Sequence, residues 1–140
     1  MAILSREHHA ALILAQLLKK DAPVYKGLPA DLASKAEYAS RFYKHDLAKH
    51  FEDEERVVIK KIKGINSALD KMAAEIIADH ATLRKLFATI PGDDSLATHL
   101  DKIGNALEQH IRKEERAFFP LLQELCNEKL LAEIGTALST

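Results

Sequence analysis

The sequence has a single cysteine, Cys126. That rules out an intramolecular disulfide framework and a Cys-rich zinc site, and it fits a reducing compartment. Helix breakers are scarce, with 5 Gly and 4 Pro in 140 residues, while alanine is abundant, so the composition favours helix. The net charge of −1 leaves no strong field to draw the chain to nucleic acid or an anionic membrane. The short run Lys60, Lys61, Lys63 reads as the solvated end of a helix. The longest nearly apolar run, Ala10 to Leu18, is too short to span a bilayer. No basic stretch precedes it, so it does not read as a signal peptide, and a cytoplasmic chain is expected. Nucleotide-binding glycine loops, nucleophile elbows and the H-E-x-x-H zinc signature are all missing.

What remains is a soluble globular composition, 47% apolar and 29% charged, of a length that suits one domain, expected over residues 1–140. Four long helices are expected. The first covers Ala2 to Lys20, and a loop with two prolines and Gly27 follows it over Asp21 to Pro29. The second runs from Ala30 to Lys63 and is broken at Gly64; the third covers Asn66 to Ile90. Pro91-Gly-Asp-Asp94 forms a turn, Asp94 or Ser95 caps the fourth helix, and that helix extends to Cys126. Glu128 to Leu138 can add a short fifth helix. No segment alternates as a strand would. The expected fold is therefore all-α, an up-down-up-down four-helix bundle.

The chain repeats itself. His50-Phe-Glu-Asp-Glu54-Glu55-Arg56 recurs as His110-Ile-Arg-Lys-Glu114-Glu115-Arg116, with apolar residues after each copy. A fainter echo pairs Glu7-His8 with Asp79-His80. The first two helices and the last two thus read as two versions of one hairpin, related by an approximate two-fold axis. Gly64 lies 14 residues after His50 and 16 before His80, which puts those histidines at similar heights on antiparallel helices.

Residues four apart share a helix face, so H-x-x-x-E aims an imidazole and a carboxylate at one place. His110 and Glu114 also lie inside the apolar stripe of Leu100, Ile103, Leu107 and Leu121, where a charge needs a partner. Two such pairs, with one histidine each from the first and third helices, give a ligand set of His8, His50, Glu54, His80, His110 and Glu114. Imidazole and carboxylate suit iron, manganese or zinc, and a carboxylate can bridge two cations, so Glu54 and Glu114 are the natural bridges. Bridging oxide or hydroxide would complete such a centre. His8 and His9 compete for the first-helix position, and His8 is favoured because it shares its face with Leu4, Ala11, Leu12 and Ala15. His99 and His45 read as structural and surface residues. Glu55 and Glu115 are expected beside the site, as acceptors or as partners of Arg56 and Arg116. Tyr38 and Tyr43 are expected in the core, and Pro120 is expected to kink the fourth helix.

The order of these motifs, ending in His110-Ile-Arg-Lys-Glu114-Glu115-Arg-Ala-Phe-Phe-Pro120-Leu-Leu, resembles the hemerythrin-like (HHE) family over residues 3 to 125. The resemblance implies a non-haem centre of two iron ions in a four-helix bundle. It implies a small-molecule partner such as dioxygen, nitric oxide or peroxide, bound for sensing or storage, or handled by an enzyme of detoxification or iron metabolism. One departure stands out. Oxygen carriers of the family have a histidine pair one turn apart in the third helix, whereas Ile76 and Arg84 flank His80 at four residues. Simple oxygen carriage is therefore in doubt, and a more open, reactive or sensing site is expected.

Overall fold

A computed structural model describes residues 2–139 and is all-helical over them. Met1 and Thr140, the two ends of the expected domain, lie outside the described residues. Helix α1 is Ala2–Leu18. Helix α2 occupies 32–62 and α3 is Ser67–Ala88. Helix α4 occupies 96–125, and α5 is Glu128–Leu138.

Local chemistry sets the ends. Asp31 accepts the Ser34 amide at 2.9 Å to start α2. Asn66 caps α3 through the amides of Ala68 and Leu69 at 2.9 and 3.2 Å, and Asn127 caps α5 through Leu130 at 2.8 Å. Helix α2 stops where Gly64 takes a φ of 83°, a left-handed conformation that glycine adopts without strain. The cap before α4 differs from expectation. Neither Asp94 nor Ser95 supplies a capping side chain; the Asp93 carboxylate accepts instead, from the Ser95 amide and hydroxyl.

Two apolar cores lie end to end. One gathers Leu14 and Leu18 of α1, Leu47 and Phe51 of α2, Leu83 and Phe87 of α3, and Leu100 to Ile111 of α4. The other gathers Leu4, Val58 and Ile62, Leu69 and Ile76, Phe118 and Leu122, together with Ile134 and Leu138 of α5. Of the buried polar residues, His8, Glu54, His80 and Glu114 fall between these two sets along α1 to α4, and His50 and His110 each lie one residue before the end of the first set.

Helices α2 and α4 are not regular throughout. A π-helical turn covers Glu54–Ile59 and another covers Glu114–Phe118. In the second, the Phe119 amide reaches back five residues to the Glu114 carbonyl. The cause is the spacing of the buried positions. Beyond Glu54 they are Val58 and Ile62, and beyond Glu114, with Phe119 beside them, the stripe is Phe118, Leu122 and Cys126. Both stripes run in steps of four, and an α-helix turns about 40° too far at each such step. A wider π turn takes up that drift and keeps the stripe on the core. Pro120 is not the origin, because its counterpart in the first copy is Lys60 and both copies have the turn. Pro120 sits in the first turn of the α-helical segment Phe119–Leu125, where its missing donor is tolerated.

The most extensive helix contact is between α1 and α4, and it depends on Gly104. A Cβ at this position would lie 2.6 Å from the Ala15 carbonyl oxygen, so a side chain there forces the two backbones apart. Beside it, Glu108 accepts from Lys19 at 2.7 Å, from Arg112 at 3.0 Å and from the Gln16 amide. The Lys19 ammonium, above all, holds the Glu108 carboxyl down at about 2.

Two outcomes follow for the α1–α4 contact. Gly104→Ala should lower stability by about 1–3 kcal/mol in denaturant titration, although alanine is the better helix former by about 1 kcal/mol. Glu108→Gln should lower it by less than about 1 kcal/mol, as for a partly exposed pair. The Glu108 carboxyl is more acidic when folded. Its contribution is therefore complete above the unfolded pKa of about 4.3 and vanishes as pH falls towards the folded value. Thermal melts from pH 6 down to pH 2.5 should show the gap between Glu108→Gln and the natural chain closing.

Candidate metal centre

Between the two cores, six side chains from four helices converge. His8 comes from α1, His50 and Glu54 from α2, His80 from α3, and His110 and Glu114 from α4; all are buried, and both glutamates have no exposed surface. His9 is exposed, so α1 offers one histidine to the cluster. Ligand atoms of His8, His50, Glu54 and Glu114 lie within 4.8 Å of one another, and so do those of Glu54, His80, His110 and Glu114. Each set could hold a metal ion, and the two glutamates belong to both.

The polar atoms inside lack partners of their own. Both carboxylate oxygens of Glu54 and of Glu114, and Nε2 of His80 and His110, are buried without a hydrogen bond. His110 Nε2 lies 2.7 Å from Glu114 Oε1, and His50 Nε2 lies 2.9 Å from Glu54 Oε1 and 3.1 Å from His8 Nε2. Leaving so many buried polar atoms unpaired is strongly unfavourable.

The reason lies on the outer side of each ring. His50 Nδ1 donates to Glu7 at 2.9 Å, and His80 Nδ1 to Glu55 at 2.6 Å. His110 Nδ1 donates to Asp79 at 3.0 Å, and His8 Nδ1 to Glu115 at 2.9 Å. An ionised carboxylate only accepts, so each of these contacts places the imidazole proton on Nδ1. In a neutral ring, Nε2 is then a lone pair facing the cluster. The four contacts make a closed ring in which α1 supports α2, α2 supports α3, α3 supports α4, and α4 supports α1. Carboxylates placed this way orient metal-binding histidines and raise their basicity. The donor set therefore fits divalent cations: four imidazole lone pairs, and two carboxylates able to bridge.

The electrostatics of the bare side chains point the same way. Burial would raise the Glu54 carboxyl, but the imidazoles of His50 and His80 outweigh it and hold it at about 2. Burial depresses His50, yet Glu54 and Glu7 lift it to about 9. His8 and His110 are lowered, burial being the largest cause for both. One buried histidine is thus driven towards the cation and two away from it. That compromise stands in for positive charge the glutamates require.

Several supporting residues were not evident in the sequence. Glu7 and Asp79, noticed there only as acidic neighbours of His8 and His80, hold His50 and His110 on the adjacent helices. Arg84 makes a two-pronged contact with Glu55 at 2.9 and 3.1 Å, and Lys113 binds Asp79 at 2.9 Å. Burial would raise Glu55; Arg84 and His80 overcome it and keep the carboxyl lowered. Glu55 and Glu115 do stand beside the cluster, but Arg56 turns to Glu52 instead of Glu55. The Phe51 ring stacks on His80 at 4.2 Å, and Phe119 stacks on His8 at 5.6 Å. His99 has a structural contact, Nε2 to the Leu86 carbonyl at 2.7 Å, and His45 is exposed. Tyr43 stacks on Phe87 at 4.9 Å, and Tyr38 packs against the same core. Among the described residues no helix is long and apolar enough to cross a membrane.

Neither curated proteins nor solved structures give a significant match to the chain. A family model does match, over residues 1–122, a span that takes in all six buried polar residues and their four carboxylate partners. The chain belongs to the Hemerythrin family, the HHE cation-binding domain.

Proposed function

We propose that the chain holds two iron ions and uses them to bind dioxygen or a related small molecule, nitric oxide or peroxide, for sensing or storage. The observation that carries this reading is the group of six buried polar atoms, on Glu54, His80, His110 and Glu114, that no protein group satisfies. His8 and His50 would hold one ion, His80 and His110 the other, and Glu54 and Glu114 would bridge them. The alternating order of core segments along α1 to α4 supports an up-down-up-down four-helix bundle with α5 as a short fifth helix. When bound, an iron pair supplies redox-active positions for a diatomic ligand or peroxide.

The chain's own residues do the rest. Glu7, Glu55, Asp79 and Glu115 keep each imidazole turned inward and its proton outward. Phe51 and Phe119 cover His80 and His8 and keep bulk water off those rings. Cavities beside His8 and His50, and beside His110, leave room for small molecules to approach.

A second reading is favoured by Arg84. It stands at one of the two positions, with Ile76, that a fifth histidine one turn from His80 would take, and it is tied to Glu55. Each proposed ion then has two histidines and two shared carboxylates, which leaves open positions on both. Such a centre suits an enzyme of peroxide or nitric oxide detoxification, or of iron handling.

Protein purified without oxygen should contain about two irons per chain and develop near-ultraviolet and visible charge-transfer bands in air. Sustained turnover of peroxide or nitric oxide with a reductant would favour the enzyme, and a single binding event the sensor. A chelator should lower the melting temperature steeply, because metal affinity here is also folding stability. A metal-free chain with an unchanged melting temperature would defeat the proposal. Asp79→Asn should weaken metal binding by about 10–100-fold in competition with a chromogenic chelator, through the loss of an oriented His110.

A further inference from the structure

Two cavities lead from the surface towards the cluster, and the internal repeat relates them. The first, of about 130 Å3, lies between α1 and α2 and ends on His8 and His50. The second, of about 260 Å3, lies between α3 and α4 and reaches His110. Three rim positions correspond under the repeat: Glu7 with Asp79, Ala10 with Thr82, Asp46 with Ala106.

Their charges do not correspond. At the second rim, Lys113 sits 2.9 Å from Asp79 and cancels it, and Ala106 brings no charge. At the first rim both Glu7 and Asp46 are acidic. Among the described residues, Asp46 has no ion-pair partner. Lys49, the cation whose field reaches Glu7, is committed to Asp53 at 2.6 Å. Asp46 also lies in a third π-helical turn, Tyr43–Leu47, whose counterpart over 103–107 is ordinary α-helix. Immediately behind His8 and His50 are the unpartnered oxygens of Glu54 and Glu114.

We propose that the cavity between α1 and α2 is the entry route for the metal ions, with Glu7 and Asp46 as its cation-collecting mouth. The inference rests on the metal-centre reading above and adds a direction of loading to it. A divalent cation in water meets the unpaired Asp46 carboxylate beside Glu7 at this mouth and a lysine at the other. A cleft lined by one sign of charge concentrates the opposite ion and speeds its capture by about 10–10³-fold. From Glu7 the path continues to His50, to which that carboxylate is hydrogen-bonded, and then to the bridging glutamates. The small side chain of Ala10 keeps the passage open.

The test compares surface variants at the two mouths: Asp46→Lys and Ala10→Phe at the first, and Thr82→Phe at the second. Asp46, Ala10 and Thr82 are exposed positions outside the ligand set. Cobalt(II) uptake by the metal-free protein is followed in stopped flow by its visible bands, with circular dichroism as a check on folding. Release from the loaded protein into excess chelator gives the same comparison without requiring a folded metal-free chain. Asp46→Lys and Ala10→Phe should each slow transfer about tenfold, and Thr82→Phe less than about twofold. All should reach the same final stoichiometry as the natural chain. Added salt should slow uptake by the natural chain more than by Asp46→Lys. Equal rates for all variants, or slowing by Thr82→Phe alone, would overturn the entry route while leaving the metal centre standing. A natural chain that takes up no cobalt would remove the metal centre itself.

Discussion

Four imidazole protons held outward by four carboxylates are the constraint on which the rest of this molecule depends. Glu7, Glu55, Asp79 and Glu115 each accept from Nδ1 of a histidine on a neighbouring helix. With the protons committed there, neutral rings can offer only lone pairs to the centre, where Glu54 and Glu114 already bring negative charge. A cluster built from acceptors alone has no internal way to satisfy itself. Cations inside would satisfy it, and their affinity would then count directly towards folding.

The flanking cores make that constraint effective. One lies on each side of the polar layer, so water cannot reach it along the bundle axis. Close approach of α1 and α4 at Gly104 narrows the bundle on one side. The π-helical turns that begin at Glu54 and Glu114 let α2 and α4 carry a buried glutamate and an apolar stripe in steps of four on the same face. Without that unwinding, either the carboxylate or the residues after it would rotate off the core.

Duplication explains the arrangement, and its imperfections explain what is particular to this chain. The ring of carboxylate–histidine contacts repeats twice in the same order, with Asp79 in the second copy where Glu7 stands in the first. The surroundings do not repeat. Phe51 covers His80 where Ile111 is its counterpart. Arg84 locks Glu55, whereas Glu115 is held by the Ser5 hydroxyl. Lys113 pairs with Asp79 at one rim, whereas at the other Asp46 has no ion-pair partner among the described residues. Matching histidine–glutamate pairs thus sit in two different electrostatic settings.

The sequence by itself determined the helices, because breakers and caps are local: Gly64, Asn66 and the Pro91 turn act on the backbone beside them. It also determined which residues share a face, because a step of four on a helix is a geometric identity, and so His50 with Glu54 and His110 with Glu114 could be read as pairs. The four-residue stripe behind the π turns was equally present in the letters, at Val58, Ile62, Phe118, Leu122 and Cys126. Only the tertiary structure decided that His8 enters the cluster and His9 faces solvent, that Arg84 answers Glu55, and that Glu7 and Asp79 serve histidines on other helices. Those choices depend on the rotation and height of one helix against the next. They are set by packing across distances of 25 to 107 residues, to which no local pattern is sensitive.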